Sequence, residues 1–126
     1  MSRLRDIVVD CGHPASLAQF WAEALTDYEV APYDEAELAR LRAEGIDGPE
    51  DDPLVLVQPI SGIGPRLFFQ LVGEAKTTKN RVHLDLHCED LAAETQRLID
   101  LGATPLSRTD DWVVLADPEG NEFCVQ

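Results

Sequence analysis

Val82-His-Leu-Asp-Leu-His-Cys88 alternates apolar and polar side chains without a break, and this alternation decides the fold. Successive side chains of an extended chain point to opposite faces, so Val82, Leu84, Leu86 and Cys88 share one side and His83, Asp85 and His87 the other. Asp90 follows as a helix N-cap, and Leu91, Thr95, Leu98 and Ile99 then recur at helical spacing until Gly102 stops the helix. The same plan stands 77 residues earlier. There Ile7, Val9 and Cys11 form one strand face and Asp6, Val8 and Asp10 the other. His13-Pro14 opens a helix, because proline is tolerated in a first turn, and Leu17, Phe20, Trp21, Ala24 and Leu25 supply its apolar stripe.

Each strand–helix pair leads into further strand signals: Tyr28–Ala31, Leu54–Gln58 and Leu67–Val72 in the first copy, Thr104–Leu106, Trp112–Ala116 and Glu122–Val125 in the second. Ser61-Gly-Ile-Gly-Pro65 and Asp117-Pro-Glu-Gly120 read as turns between strands. The first of these lacks the lysine-serine ending and the following helix of a phosphate loop. The chain is therefore expected to be one α+β domain over 1–126, built of two βαβββ modules, 1–72 and 81–126, joined by a polar linker at 73–80. The modules would form a cup-shaped curved mixed sheet with covering helices. A short helix is inserted in the first module near 34–45, in a stretch (Glu29 to Asp52) that holds nine of the 24 acidic residues. It reads either as a solvated insertion or as a flap over a ligand cavity.

Charge narrows the partners. Ten basic residues against 24 acidic ones leave a net charge of −14, which repels a nucleic-acid backbone and an anionic membrane surface but not a small ligand in a local pocket. No apolar run is long enough to span a bilayer, and Ile7–Val9 is too short for a secretory core. Cys11, Cys88 and Cys124 are widely spaced and odd in number, which suits three buried thiols in a cytoplasmic protein better than a disulfide framework.

Several motifs carry a family resemblance: Lys79-Asn-Arg-Val-His-Leu-Asp-Leu86, Leu98 to Ala103, and Trp112 through Asp117-Pro-Glu-Gly-Asn-Glu-Phe-Cys-Val125. Together with Ala18-Gln-Phe-Trp21 and Arg66-Leu-Phe-Phe-Gln70, they resemble the glyoxalase-like branch of the vicinal oxygen chelate (glyoxalase/bleomycin resistance/dioxygenase) superfamily over the whole chain. The resemblance implies a cup with one divalent ion, held by a residue from the first and last strand of each module. His83 and Glu122 match two of those positions, and imidazole with carboxylate suits zinc, nickel, iron or manganese. In the first module the matching positions carry Asp6 and either Phe68 or Gln70, so the strong ligand pair of the second half is answered by Asp6 and Gln70 as weaker donors.

Asp85 and Glu122 are the candidates for moving a proton, Asp85 also for orienting His83. Phe68, Gln70, Trp112 and Val114 are the candidates for lining a small-molecule pocket. Phe69 and Phe123 fall opposite and belong to the core, while His13 reads as a helix start. Lys76, Lys79 and Arg81 form a basic island in the linker, read mainly as solvated. Three functions stay open at this point: metal-assisted lyase, isomerase or dioxygenase chemistry; metal-free capture of a small organic compound; and a structural or regulatory role. A homodimer suits any of them.

Overall fold

Strand β1 (Asp6–Cys11) runs parallel to β4 (Arg66–Leu71), with Asp6 opposite Arg66, Val8 opposite Phe68 and Asp10 opposite Gln70. Parallel neighbours need a long crossover. Here it holds α1 (Pro14–Ala24), β2 (Tyr28–Val30), α2 (Glu35–Ala43), a 3-10 turn at Pro49–Asp51 and β3 (Leu54–Pro59). The resulting sheet has the order β1-β4-β3-β2. In the second half, β5 (Leu84–Leu86) is parallel to β8 (Glu122–Val125), and α3 (Leu91–Leu101), β6 (Thr104–Arg108) and β7 (Val113–Ala116) fill the crossover to give β5-β8-β7-β6. This computed structural model describes all residues from Met1 to Gln126, as two compact units divided after Glu74. Each unit has the βαβββ order and its own four-stranded mixed sheet.

The strand alternation read from the sequence sorts the faces of each sheet. In the first unit Cys11, Val55, Val57, Leu67 and Phe69 are buried together with Leu17, Phe20 and Trp21 of α1, which packs on β2, β3 and β4. Phe20 and Trp21 meet edge to face with ring centroids 5.4 Å apart. In the second unit Val113, Leu115, Phe123 and Val125 are buried, as are Thr95 and Leu98 of α3. Fully burying one such side chain is worth about 1.5–3 kcal/mol, so these two apolar layers supply much of what holds each unit together.

Helix ends follow the sequence. Asp34 Oδ1 accepts the Glu37 N–H at 2.9 Å and Asp90 Oδ1 the Ala93 N–H at 3.0 Å. His13 stands at the N-cap of α1 and its side chain does not cap the helix, leaving Pro14 to set the first turn. Gly102 ends α3 at φ 124°, a left-handed backbone that a side chain would strain.

Two expectations need correction. The strand foreseen across 82–88 is regular only over Leu84–Leu86, although the Cys88 N–H still reaches the Gln126 carbonyl at 2.8 Å. Of the three thiols only Cys11 is buried; Cys88 and Cys124 are half-buried. The inserted helix is solvated over most of its surface, with Leu41 as its one buried residue. Leu41 is 1% exposed, and Asp52, itself buried, accepts a 2.8 Å bond from the Tyr33 hydroxyl and lies 3.5 Å from Arg40. No helix is long and apolar enough to cross a membrane.

Candidate functional site

The polar face of the second sheet is built by a turn and a ladder. Asp117, 3% exposed, accepts bonds from the backbone N–H groups of Glu119 (2.9 Å) and Asn121 (3.0 Å) and from the Asn121 side-chain amide. With Gly120 at φ 88°, this fixes the connection between β7 and β8 and delivers Glu122 in a set position. Phe123 and Val125 then point into the core, so Glu122 and Cys124 lie on the other face. Cys124 stands directly opposite Asp85 across the parallel ladder.

Glu122 is closed by neighbours from an irregular segment. Oε2 accepts the Asn80 backbone N–H at 2.9 Å, and Lys76 Nζ lies 3.4 Å from Oε1. The Asn80 N–H, followed by the residue's own N–H and by Lys76, holds the carboxyl below the usual glutamate range. Lys76 is thus an ion-pair partner rather than a solvated linker residue. Val114, Leu106, Lys76, Lys79 and Glu122 line an open hollow of about 530 Å³.

His83 turns instead to Asp85, with Nε2 3.3 Å from Oδ1. Burial, followed by the Asp85 carboxylate, pushes the pKa of the Cys124 thiol up. One donor atom from each of His83, Asp85 and Cys124 lies within 4.8 Å of the others. Glu122 is not part of this group. Trp112 precedes β7, is 45% exposed and stands outside the hollow that Val114 lines.

The first unit offers a different surface. Asp6 accepts two bonds from Arg66, at 2.8 and 3.1 Å, and one from Arg5 at 3.0 Å. The Arg66 bonds are the main reason its carboxyl stays below the ordinary value of 3.8. The Arg66 guanidinium also lies 5.2 Å from the centre of the Phe68 ring. Gln70 is exposed. Leu54, Leu56, Gln58 and Phe68 of the sheet line a hollow of about 430 Å³ together with Tyr33, Arg40 and Asp52. Burial and the bond to Asp52 keep the Tyr33 hydroxyl protonated far above the ordinary tyrosine value. Of the lining candidates named from the sequence, Phe68 borders this hollow; Tyr33, Arg40 and Asp52, from the insertion and its exit, were not among them. An aromatic in an otherwise charged insertion was the only signal for them.

A family profile described as a glyoxalase-like domain matches residues 6–126. The chain belongs to the glyoxalase-like domain family. Among curated proteins no relative matches it significantly. Among solved structures, a glyoxalase/bleomycin resistance protein/dioxygenase family enzyme from Burkholderia phytofirmans is 14% identical, covers 98% of this chain and 97% of its own, and superposes with a TM-score of 0.66. The genomically encoded fosfomycin resistance protein FosX from Listeria monocytogenes is 12% identical, with 100% and 91% coverage and a TM-score of 0.63. A mutant of that protein was solved with manganese(II) and a dihydroxypropylphosphonic acid, at 12% identity, 100% and 90% coverage and a TM-score of 0.59. At these identities the likeness is one of fold.

The family's metal positions can be tested on the side chains present, each within its own unit. Asp6 is taken by two arginines, Gln70 is a neutral amide in solvent, Glu122 is taken by a lysine and a backbone N–H, and only His83 faces another metal-type donor. Within their own units, Asp6 and Glu122 are thus engaged by cationic side chains, which compete with a metal for both carboxylates.

Proposed function

We propose that this glyoxalase-like domain binds a small, mostly apolar organic molecule in the hollow of the first module, without needing a four-ligand metal centre. The observation that carries this reading is the hollow of about 430 Å³, lined by the apolar Leu54, Leu56 and Phe68 together with the polar Tyr33, Gln58 and Arg40. Such a size and mixture suit a compact ligand: apolar burial supplies affinity, and a few polar groups fix its orientation. Arg40 is surrounded by Glu37, Glu44 and Asp52, so its charge is already balanced and a neutral ligand fits better than an anion.

The test is a thermal-shift screen of neutral aromatic and carbonyl compounds on chelator-treated full-length protein. Ligands of the native state should raise the melting temperature with concentration, by the equivalent of about 2.7 kcal/mol at a hundredfold excess over Kd. Phe68→Ala should remove that gain while the chelator leaves it intact. Hits that survive Phe68→Ala, or that appear only with added metal, would defeat the reading.

Metal-assisted lyase, isomerase or dioxygenase chemistry is the second reading. It is favoured by one observation, the His83 imidazole beside Asp85 and Cys124 on an accessible sheet face. In that case zinc, nickel, iron or manganese would supply Lewis acidity, and Asp85 would orient the imidazole.

A further inference from the structure

We infer that His83, Asp85 and Cys124 form a three-donor site for a thiophilic divalent cation such as zinc, a set that shares only His83 with the positions the family resemblance gives. This goes beyond the proposed binding in the first module and does not depend on it.

Geometry comes first. Asp85 and Cys124 are directly paired across the β5–β8 ladder, so their side chains rise from neighbouring backbone positions on one face. His83 stands two residues before Asp85 and reaches the same carboxylate. All three donor atoms lie within 4.8 Å of one another. A tetrahedral zinc with ordinary bond lengths separates a nitrogen from an oxygen ligand by about 3.3 Å, and either from a sulfur by about 3.6 Å. The His83–Asp85 separation of 3.3 Å already has the length of one such edge. The Cys124 sulfur, within 4.8 Å of both, has at most about 1.2 Å to close to reach the other edges.

Chemistry and charge agree with the geometry. Imidazole, carboxylate and thiolate form a mixed nitrogen, oxygen and sulfur set, which zinc and cobalt accept and magnesium or calcium do not. Asp85 makes no ion pair with lysine or arginine, whereas Glu122 and Asp6 both do. His83 and Asp85 have side chains 46% and 54% exposed, so an ion can enter from solvent. The chain's net charge of −14 draws cations toward it. Three protein donors leave a fourth position for water or a ligand heteroatom.

The probe is cobalt(II) added to the full chain purified without chelator, read by absorption and by native mass spectrometry. The expected result is one cobalt per chain with a thiolate-to-cobalt charge-transfer band in the near ultraviolet. Cys124→Ser should abolish the band, and His83→Ala and Asp85→Asn should each weaken binding by about tenfold or more. Cys88→Ser should change nothing. Melting curves of the apo variants confirm folding, which the exposure of His83 and Asp85 should preserve. Cobalt that binds without a thiolate band, or binding lost in Glu122→Gln but kept in Cys124→Ser, would overturn the assignment. So would the absence of binding at cobalt concentrations that saturate ordinary three-donor sites. None of these outcomes bears on the chelator-treated ligand screen, so the two ideas fail separately.

Discussion

The two modules use one backbone plan with opposite side-chain outcomes. In each, the first strand is parallel to the last, and the helix-side residues form a closed apolar layer. On the other face the first module sets Asp6 directly opposite Arg66 and Val8 opposite Phe68, which neutralises the carboxylate and leaves an apolar surface. The second sets Asp85 opposite Cys124 with His83 beside it, which leaves three metal-type donors together. A strand position fixes where a side chain projects, but its cross-strand neighbour decides what chemistry it keeps. The first module thereby favours binding by burial, the second binding by coordination.

Removing either module's core should have the largest effect. Phe69 and Phe123 are 0% and 1% exposed, and each fully buried ring truncated to alanine typically costs about 3–5 kcal/mol. Phe69→Ala and Phe123→Ala are therefore expected to lower urea stability by similar amounts. A loss below about 1 kcal/mol in one variant alone would show that its module relaxes around the gap and that the two cores are not alike.

The turns preceding the last strands sharpen the comparison at a smaller scale. Asp117 is buried and accepts four hydrogen bonds, whereas Asp27, which holds Ser61 in the first module, sits at an exposed site. Asp117→Ala should cost about 1–3 kcal/mol, the usual penalty for leaving buried donors unpaired. Asp27→Asn, chosen because asparagine tolerates the left-handed backbone at φ 66°, should cost less than about 1 kcal/mol. Asp117→Ala should also move the Asn80 amide resonance, since Glu122 would no longer be delivered to that N–H. A silent Asn80 would mean that the turn does not position Glu122.

Much of the backbone was legible because periodicity is local. The faces of β1, β4 and β8, the cap Asp90 and the stop at Gly102 are all written within a few residues of where they act. The pairings that decide the site are not. Lys76 and Asn80 reach Glu122 across more than forty residues, and one of the two contacts uses a backbone N–H that any residue would carry. Cys124 becomes a neighbour of Asp85 only through the parallel register, which one strand's pattern does not encode. Tyr33 and Asp52 meet from the two ends of the insertion, whose helix buries only Leu41, and its charged composition hides that anchor.

The smallest expected effect tests whether Asp6 is as fully claimed as the contrast between the modules requires. Its carboxyl ionises below 3.8 in the folded chain, chiefly through the Arg66 bonds, so the folded state binds the proton less readily than the unfolded one. The pair's contribution is complete above the unfolded value and disappears as pH falls through the lower, folded value. Wild-type protein should therefore lose more melting temperature than Asp6→Asn between about pH 5 and pH 2, with the two curves parallel near neutrality. Both charges lie near solvent, so the difference should shrink in concentrated salt. Arg66→Ala separates the causes. If Arg66 is what claims Asp6, this variant should lose the acid-dependent difference as Asp6→Asn does, while retaining a carboxylate freed to meet a cation. If added cobalt then binds Arg66→Ala at a second site, the first module has kept a latent ligand that only its cross-strand partner suppresses. If the acid dependence persists unchanged, Arg5 holds Asp6 well enough alone, and the contrast between the modules no longer rests on the ladder.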